Sequence, residues 1–318
     1  MMNISNNKPT SKQMERRKFL KKVSMGGAVA GLGAGIGLEA MGSETLPATP
    51  FNLKYAPHFG MFQHHAGEDL LDQLTFMAEQ GFKGLEDNGL MGRTPEMQEK
   101  IGNQLSKLGL EMGVFVLDKG GNSANSITAG NPEFTEIFVN ACKKAIDVAK
   151  RVNAKWITIV PGNFERKLPL DIQTGNVIDT LRKGVEILEP HGLIMVLEPL
   201  SDTPDLYLRT STQTNMICKA VNSPSCKLLY DAYHLQRNEG DLIKNIDHCW
   251  DEIAYFQIGD NPGRKEPGTG EINYRNVFKH IHDRGFDGIM GMEHGNAIPG
   301  KEGELALIEA YRYADKFK

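Results

Sequence analysis

At 318 residues, 40% hydrophobic and 24% charged, the chain is the size of one complete α/β barrel and has ample material for a core. The first 42 residues hold seven Lys/Arg and two Asp/Glu, a net +5, so the remainder, with 29 basic and 38 acidic residues, carries −9. An acidic body repels phosphate backbones, which sets nucleic acid aside as a partner. Four cysteines (Cys142, Cys218, Cys226, Cys249) without CxxC spacing set aside a zinc ribbon or a disulfide scaffold and read as buried apolar thiols.

In chain order, the first element is an address. Residues 15–21 read Glu-Arg-Arg-Lys-Phe-Leu-Lys, followed by a Gly/Ala-rich segment from Ser24 to Leu38. Paired arginines, then Phe-Leu-Lys, then a mildly apolar stretch resemble a twin-arginine export signal. That stretch is about 15 residues, too short to span a bilayer stably, and nothing past residue 50 approaches the ~18 apolar residues a span needs. The expectation is a signal over residues 1–42, cleaved after Ala40-Met41-Gly42 or at small residues nearby. A linker over residues 43–51 and a catalytic domain over residues 52–318 follow. Export in the folded state implies a periplasmic or other extracytoplasmic destination and suits an enzyme loaded with metal beforehand.

From residue 52 short apolar runs alternate with amphipathic segments. The runs Leu53–Pro57, Gly84–Glu86, Glu111–Leu117, Lys155–Val160, Leu193–Glu198, Lys227–Asp231, Ile253–Ile258 and Gly288–Glu293 read as strands. Between them Leu71, Leu74 and Ala78, then Ile101, Leu105 and Leu108, then Ile137, Ala141 and Ala145 recur at helical spacing. Thr94-Pro95 and Asn131-Pro132 place a capping side chain before a proline at the first helical position. Gly81, Gly109, Gly192 and Gly285 each stand where a helix ends and a strand begins. Eight such units over about 265 residues, with no GxGxxG after the first strand, predict a single closed (β/α)8 TIM barrel rather than a doubly wound sheet.

The chemistry concentrates in the second half. Strands five to eight each run apolar and end in Glu198, Asp231, Gln257 and Glu293, spaced 33, 26 and 36 residues apart. That is about one βα unit per step, which brings all four side chains to the mouth of the barrel. Three carboxylates and an amide suit a hard or borderline divalent cation, Mg²⁺, Mn²⁺ or Co²⁺, with Zn²⁺ also admissible. Glu198 and Glu293 can flank a small hydroxy-carbonyl compound as an acid–base pair, one removing a C–H proton and one returning it. His234, three residues after Asp231, can donate to a substrate oxygen. Arg264, in the Pro/Gly-rich loop Pro262–Gly270, can grip a carboxylate or carbonyl.

At these residues the chain resembles the xylose isomerase-like barrel superfamily and, within it, the hydroxypyruvate isomerase family. The resemblance lies in Gln257 followed by Asn261-Pro262-Gly263-Arg264-Lys265-Glu266-Pro267-Gly268-Thr269-Gly270-Glu271-Ile272-Asn273-Tyr274, with Glu198, Asp231, His234 and Glu293 around it. It implies that Glu198, Asp231, Gln257 and Glu293 surround the metal and that the two glutamates are acid and base. It also implies that His234 and Arg264 touch substrate. Glu266, in the same loop, and His58 on the opposite wall are further candidate contacts, with His64 and His65 beyond. The related ketose epimerases carry histidine where this chain has Gln257. Strand eight departs from the family by placing His294, rather than an aromatic residue, after its glutamate.

The expected partner is thus a small hydroxy-carbonyl compound or sugar, and self-association stays open. Competing readings are a ketose or inosose epimerase, which differs only in where the proton returns, and an exported sugar-binding barrel without catalysis. An apurinic endonuclease is disfavoured by nine histidines, few of them at strand ends, and by the acidic body.

Overall fold

The computed structural model describes residues 50–317; the expected signal and most of the expected linker lie outside them. The strands are β1 (Lys54–Ala56), β2 (Gly84–Leu85), β3 (Glu111–Met112), β4 (Val114–Val116), β5 (Trp156–Ile159), β6 (Ile194–Leu197), β7 (Cys226–Asp231), β8 (Ile253–Ile258) and β9 (Ile289–Met292). All pairings are parallel, in the order β1-β9-β8-β7-β6-β5-β4, with β2 and β3 as a second pair. The expected third strand is broken at Gly113, so its first half pairs with β2 and its second half with β5. A Cβ on Gly113 would lie 2.4 Å from the Tyr255 hydroxyl, so a glycine is what lets the chain pass there. The Lys83 N–H donates to the Tyr55 carbonyl at 3.1 Å and the Glu86 N–H to the Pro57 carbonyl at 2.9 Å, joining β1 to the β2 segment. On its other side the Asp87 N–H reaches the Val114 carbonyl at 3.3 Å, so eight strand positions close into the TIM barrel.

The helices are α1 (Gln63–Ala66), α2 (Leu70–Glu79), α3 (Pro95–Leu108), α4 (Pro132–Val152), α5 (Leu170–Leu188), α6 (Ser211–Val221), α7 (Ala232–Asn238), α8 (Leu242–Cys249), α9 (Tyr274–Asp283) and α10 (Gly300–Ala314). The Thr94 hydroxyl accepts from the Met97 N–H at 3.3 Å and the Asn131 side chain from the Glu133 N–H at 2.9 Å, as the Thr-Pro and Asn-Pro pairs predicted. The four glycines at expected helix ends all take positive φ. Ile101 and Leu105 of α3, and Ala141, Cys142 and Ala145 of α4, turn into the layer between helices and strands. All four cysteines are free and buried. Among the described residues no helix is long and apolar enough to cross a membrane.

Inside the barrel, Ala56, Val114, Trp156, Val196, Leu229, Tyr255 and Ile289 form a separate apolar plug. Burying each large apolar side chain of this kind stabilises the fold by roughly 1.5–3 kcal/mol. Side chains on a strand repeat their direction every second residue. Two positions further along, these strands therefore present His58, Val116, Thr158, Glu198, Asp231, Gln257 and Gly291 to the same axis. Within a single layer the barrel lining changes from hydrocarbon to carboxylate and amide.

Candidate active site

Each functional side chain is held by the element that ends beneath it. Glu198 follows β6, and its N–H continues the ladder to the Ile159 carbonyl at 3.1 Å. Asp231 is both the last residue of β7 and the N-cap of α7. Its Oδ1 accepts from the Tyr233 N–H at 2.7 Å and the His234 N–H at 3.1 Å, leaving Oδ2 free to face the axis. Gln257 lies beside Asp231 on one side and Gly291 on the other, and Glu293 stands two residues above Gly291. Ligand atoms of Glu198, Asp231, His234 and Glu293 all lie within 4.8 Å of one another.

Burial and the closeness of other acids raise the proton affinity of the two glutamates. Burial pushes Glu293 up to about 7; Arg264 pulls it down, while Asp231 pushes it further up. Burial also holds Glu198 well above the usual carboxylate range, with Glu293 and Asp231 adding to the shift. The Arg264 Nη2 donates to Glu293 Oε2 at 2.7 Å and lies 3.6 Å from Asp231 Oδ2. Asn88 Nδ2 donates to the other Glu293 oxygen at 2.9 Å. Glu293 is thus gripped on both oxygens.

Its neighbours are not. Glu198 Oε1, Asp231 Oδ2 and Gln257 Oε1 are buried acceptors with no hydrogen-bond partner, and Thr158 Oγ1 in the same layer is likewise unpartnered. Leaving a buried polar atom unpaired costs about 1–3 kcal/mol, more if it is charged. Oxygens that can only accept, gathered among acids that cannot all ionise together, are what a divalent cation satisfies. The residues present therefore fit such an ion.

His234 joins that cluster with its Nε2 as a donor. The Ser201 backbone N–H donates to His234 Nδ1 at 3.1 Å, and the Ser201 Oγ lies 2.8 Å from the same nitrogen. A nitrogen that accepts carries no proton, so the proton of the neutral ring sits on Nε2. Burial lowers the imidazole below its ordinary value, which favours the neutral ring, while Asp231 opposes the shift. Nε2 lies 3.9 Å from Glu198 Oε1 and 3.7 Å from Asp231 Oδ2, aimed as a donor at whatever oxygen binds between them.

The remaining expected residues are placed unequally. Arg264, at positive φ, stacks its guanidinium over the Tyr233 ring at 4.9 Å and spends its charge on Glu293. Its loop is clasped by Asp260, whose carboxylate accepts from the N–H groups of Gly268, Gly270 and Ile272 at 2.8–3.0 Å. Glu266 is buried and accepts from the Ala297 N–H at 2.9 Å, tying this loop to the one after β9. His58 bridges backbone carbonyls, its ring nitrogens 2.8 Å from the Phe59 oxygen and 3.0 Å from the His294 oxygen. His64 and His65 both turn away from the cluster to Glu304. His294 stacks on Tyr311, so it supplies the flat ring expected at that position.

Glu86, Asn88 and Ser201 were not singled out from the sequence. Glu86 is buried; its Oε1 accepts from Gln257 Nε2 at 2.9 Å and its Oε2 from the Tyr255 hydroxyl at 3.0 Å. A signal for it exists: Gly84-Leu85-Glu86 closes strand two with an acid, as strand five closes with Glu198.

With this geometry in hand, comparisons with known proteins become informative. Residues 74–315 match the family model described as xylose isomerase-like TIM barrel. The hydroxypyruvate isomerase of Escherichia coli (strain K12) is 30% identical over 247 residues, covering 77% of this chain and 94% of that protein. The 2-oxo-tetronate isomerase of Cupriavidus necator is 24% identical over 237 residues, covering 74% and 89%. Among solved structures, the 3-keto-D-glucoside 4-epimerase of E. coli superposes with a TM-score of 0.68 at 20% identity, covering 82% of this chain and 98% of that one. That last likeness speaks to the fold.

Proposed function

The chain belongs to the xylose isomerase-like TIM-barrel family, and from that premise we propose that it is a divalent-metal-dependent isomerase of a small hydroxy-carbonyl compound, of the hydroxypyruvate/tartronate semialdehyde type. The observation that carries this reading is the set of buried acceptor oxygens without partners, Glu198 Oε1, Asp231 Oδ2 and Gln257 Oε1, the first two 3.9 and 3.7 Å from His234 Nε2. Glu198, Asp231, Gln257 and Glu293 would hold Mg²⁺, Mn²⁺ or Co²⁺, with Zn²⁺ admissible. A bound cation supplies Lewis acidity to the two substrate oxygens and lowers the cost of the enediolate.

The proton work falls to the chain itself. One glutamate takes a proton from the carbon bearing the hydroxyl, and the other returns one to the former carbonyl carbon. The hydroxyl proton passes to the former carbonyl oxygen, so that the hydroxyl carbon becomes the new carbonyl. Without a cation, burial brings Glu293 to about 7; a bound cation would lower it and favour the ionised form that serves as base. Asn88 and Arg264 hold it in one orientation while it changes charge. His234, its tautomer fixed by Ser201, donates to the oxygen that becomes anionic.

The test is hydrogen exchange followed by NMR in D2O, with Mn²⁺ or Mg²⁺ and a panel of hydroxypyruvate, ketoses and inososes. Metal-dependent deuterium uptake beside a carbonyl supports the reading, and the product separates isomerisation from epimerisation at the same carbon. Binding without exchange across the panel would instead support a sugar-binding barrel. The paired arginines at 16 and 17 motivate a second part of the proposal, action outside the cytoplasm. Replacing both by lysine should leave the full-length chain in the cytoplasm; unchanged fractionation would refute export by this route.

A further inference from the structure

A glutamine side chain offers two faces, and only its oxygen can bind a cation. Around Gln257 the local electrostatics favour the wrong one, because Asp231, its register partner across the β7–β8 ladder, keeps Oδ2 as a buried acceptor that attracts an N–H. We propose that Glu86 is the positioning residue that overrides this preference. It accepts the Gln257 Nε2–H at 2.9 Å and so turns the amide oxygen toward the carboxylate cluster. Burial and then Glu293 push Glu86 above the usual carboxylate range, against the pull of its hydrogen bonds from Gln257 and Tyr255. Ionised, or with its proton on Oε2 beside the Tyr255 oxygen, it keeps Oε1 as an acceptor. The opposite orientation would set the Gln257 oxygen against that Oε1, acceptor against acceptor. The inference rests on the metal-dependent reading above.

The surroundings are built to hold Glu86 in that place. Tyr255, one inward position below Gln257 on β8, donates to Glu86 Oε2 at 3.0 Å, so both carboxylate oxygens are committed to one strand. The carboxylate crosses the barrel axis over Gly291, where a Cβ would stand 1.7 Å from Glu86 Oε2. Gly113 makes the same kind of room for the Tyr255 hydroxyl. A carboxylate buried to 1% exposure, with both oxygens given to fixed donors, is a rigid clamp and is not placed to touch substrate.

The experiment measures Mn²⁺ affinity without substrate, by electron paramagnetic resonance, in the full chain and in Glu86→Gln, Glu86→Met, Gln257→Met and the Glu86→Met/Gln257→Met double variant. The melting temperature in EDTA reports whether each variant folds. Loss of an outer-shell partner weakens metal binding by about 10–100-fold, the drop expected for Glu86→Met, whereas Glu86→Gln keeps an acceptor and should stay within about 3-fold. The double variant should bind no more weakly than Gln257→Met alone, since the clamp has nothing left to orient. If Glu86→Met does not fold, Gly291→Ala, which displaces the clamp by its added methyl, carries the same expected loss. Wild-type affinity in a folded Glu86→Met, or losses that add in the double variant, would overturn the role of Glu86 and leave the metal reading intact. Failure of the unaltered protein to bind Mn²⁺, Co²⁺ or Mg²⁺ would overturn both, and that outcome shows before any variant is compared.

Discussion

Two buried acids of the barrel are treated in opposite ways. Glu304, in the first turns of α10, accepts from the backbone N–H and the Nδ1 of both His64 and His65, at 2.6–3.0 Å. Burial pushes that carboxyl up, but the four hydrogen bonds outweigh it and hold it below its ordinary value. Glu198, also buried, keeps an oxygen with no partner and is pushed the other way by burial and by the acids Glu293 and Asp231. The acid that fastens α1 to α10 is saturated with donors, and the acid proposed to meet an ion or substrate is left short of them. Burial alone does not distinguish the two, whereas the count of satisfied oxygens does.

The sharpest way to break this contrast is at the unsaturated acids. Glu198→Gln or Glu293→Gln should leave the fold intact and lower turnover by at least ~100-fold, the scale of losing a general acid or base. Near-normal turnover in either would refute its place in the proton transfer. At the saturated acid the effect should move to stability. Glu304→Gln turns an amide donor against N–H groups and should cost roughly 2–3 kcal/mol in urea unfolding, with turnover per folded molecule little changed. An unshifted midpoint would mean that the four hydrogen bonds do not fasten α1 to α10.

Arg264→Ala should act more gently. Without the guanidinium, Glu293 rises further, so the acid limb of the kcat/KM profile should move up by about one pH unit, and KM should rise more for acidic than for neutral substrates. An unmoved limb would separate Arg264 from Glu293 in function. pH sharpens the contrast further, because the two kinds of acid pull stability in opposite directions. Glu293 rises from 4.5 to about 7 on folding, so its contribution in EDTA-treated protein is fully present below 4.5 and is lost as pH climbs through about 7. Glu304 is shifted down on folding, so its contribution is present above its ordinary value and is lost on acidification. Melting temperatures in EDTA should therefore fall between pH 4.5 and 7 and recover with Mn²⁺, most at the alkaline end. A flat profile insensitive to Mn²⁺ would contradict the crowding of acids at the mouth. The smallest effect belongs to Ser201→Ala. The backbone N–H still fixes the His234 tautomer, so turnover should drop by less than about 3-fold.

Much of this architecture was legible from residue order. Strand ends at Glu198, Asp231, Gln257 and Glu293 followed from the βα spacing, because parallel strands of a barrel all point the same way. What spacing could not reveal was which polar atoms answer one another across the barrel. Glu86 and Gln257 are 171 residues apart and meet only because closing the barrel through β9 and β1 brings the β2 segment round to the same side as β8. The paired histidines illustrate the converse: His64-His65 beside a mouth strand looks like a pocket wall, yet the partner that claims both rings stands some 240 residues further on. The break at Gly113 was invisible for the same reason, since the hydroxyl that demands it belongs to Tyr255.

The pairing of β1 with β9 also sets a timetable. Ala56 lies opposite Gly291, about 235 residues later in the chain. At synthesis rates of about 5–20 residues per second, roughly 10–50 s pass between the appearance of the first strand and that of its partner. Throughout that interval β1 lacks its β9 partner, and once Tyr255 has been made the nascent chain also leaves a flank of the Val114–Trp156–Tyr255 plug uncovered. The barrel can only be shut by its own last strand, so a ribosome stalled before residue 289 would carry an open, adhesive half-cylinder rather than a smaller version of the enzyme.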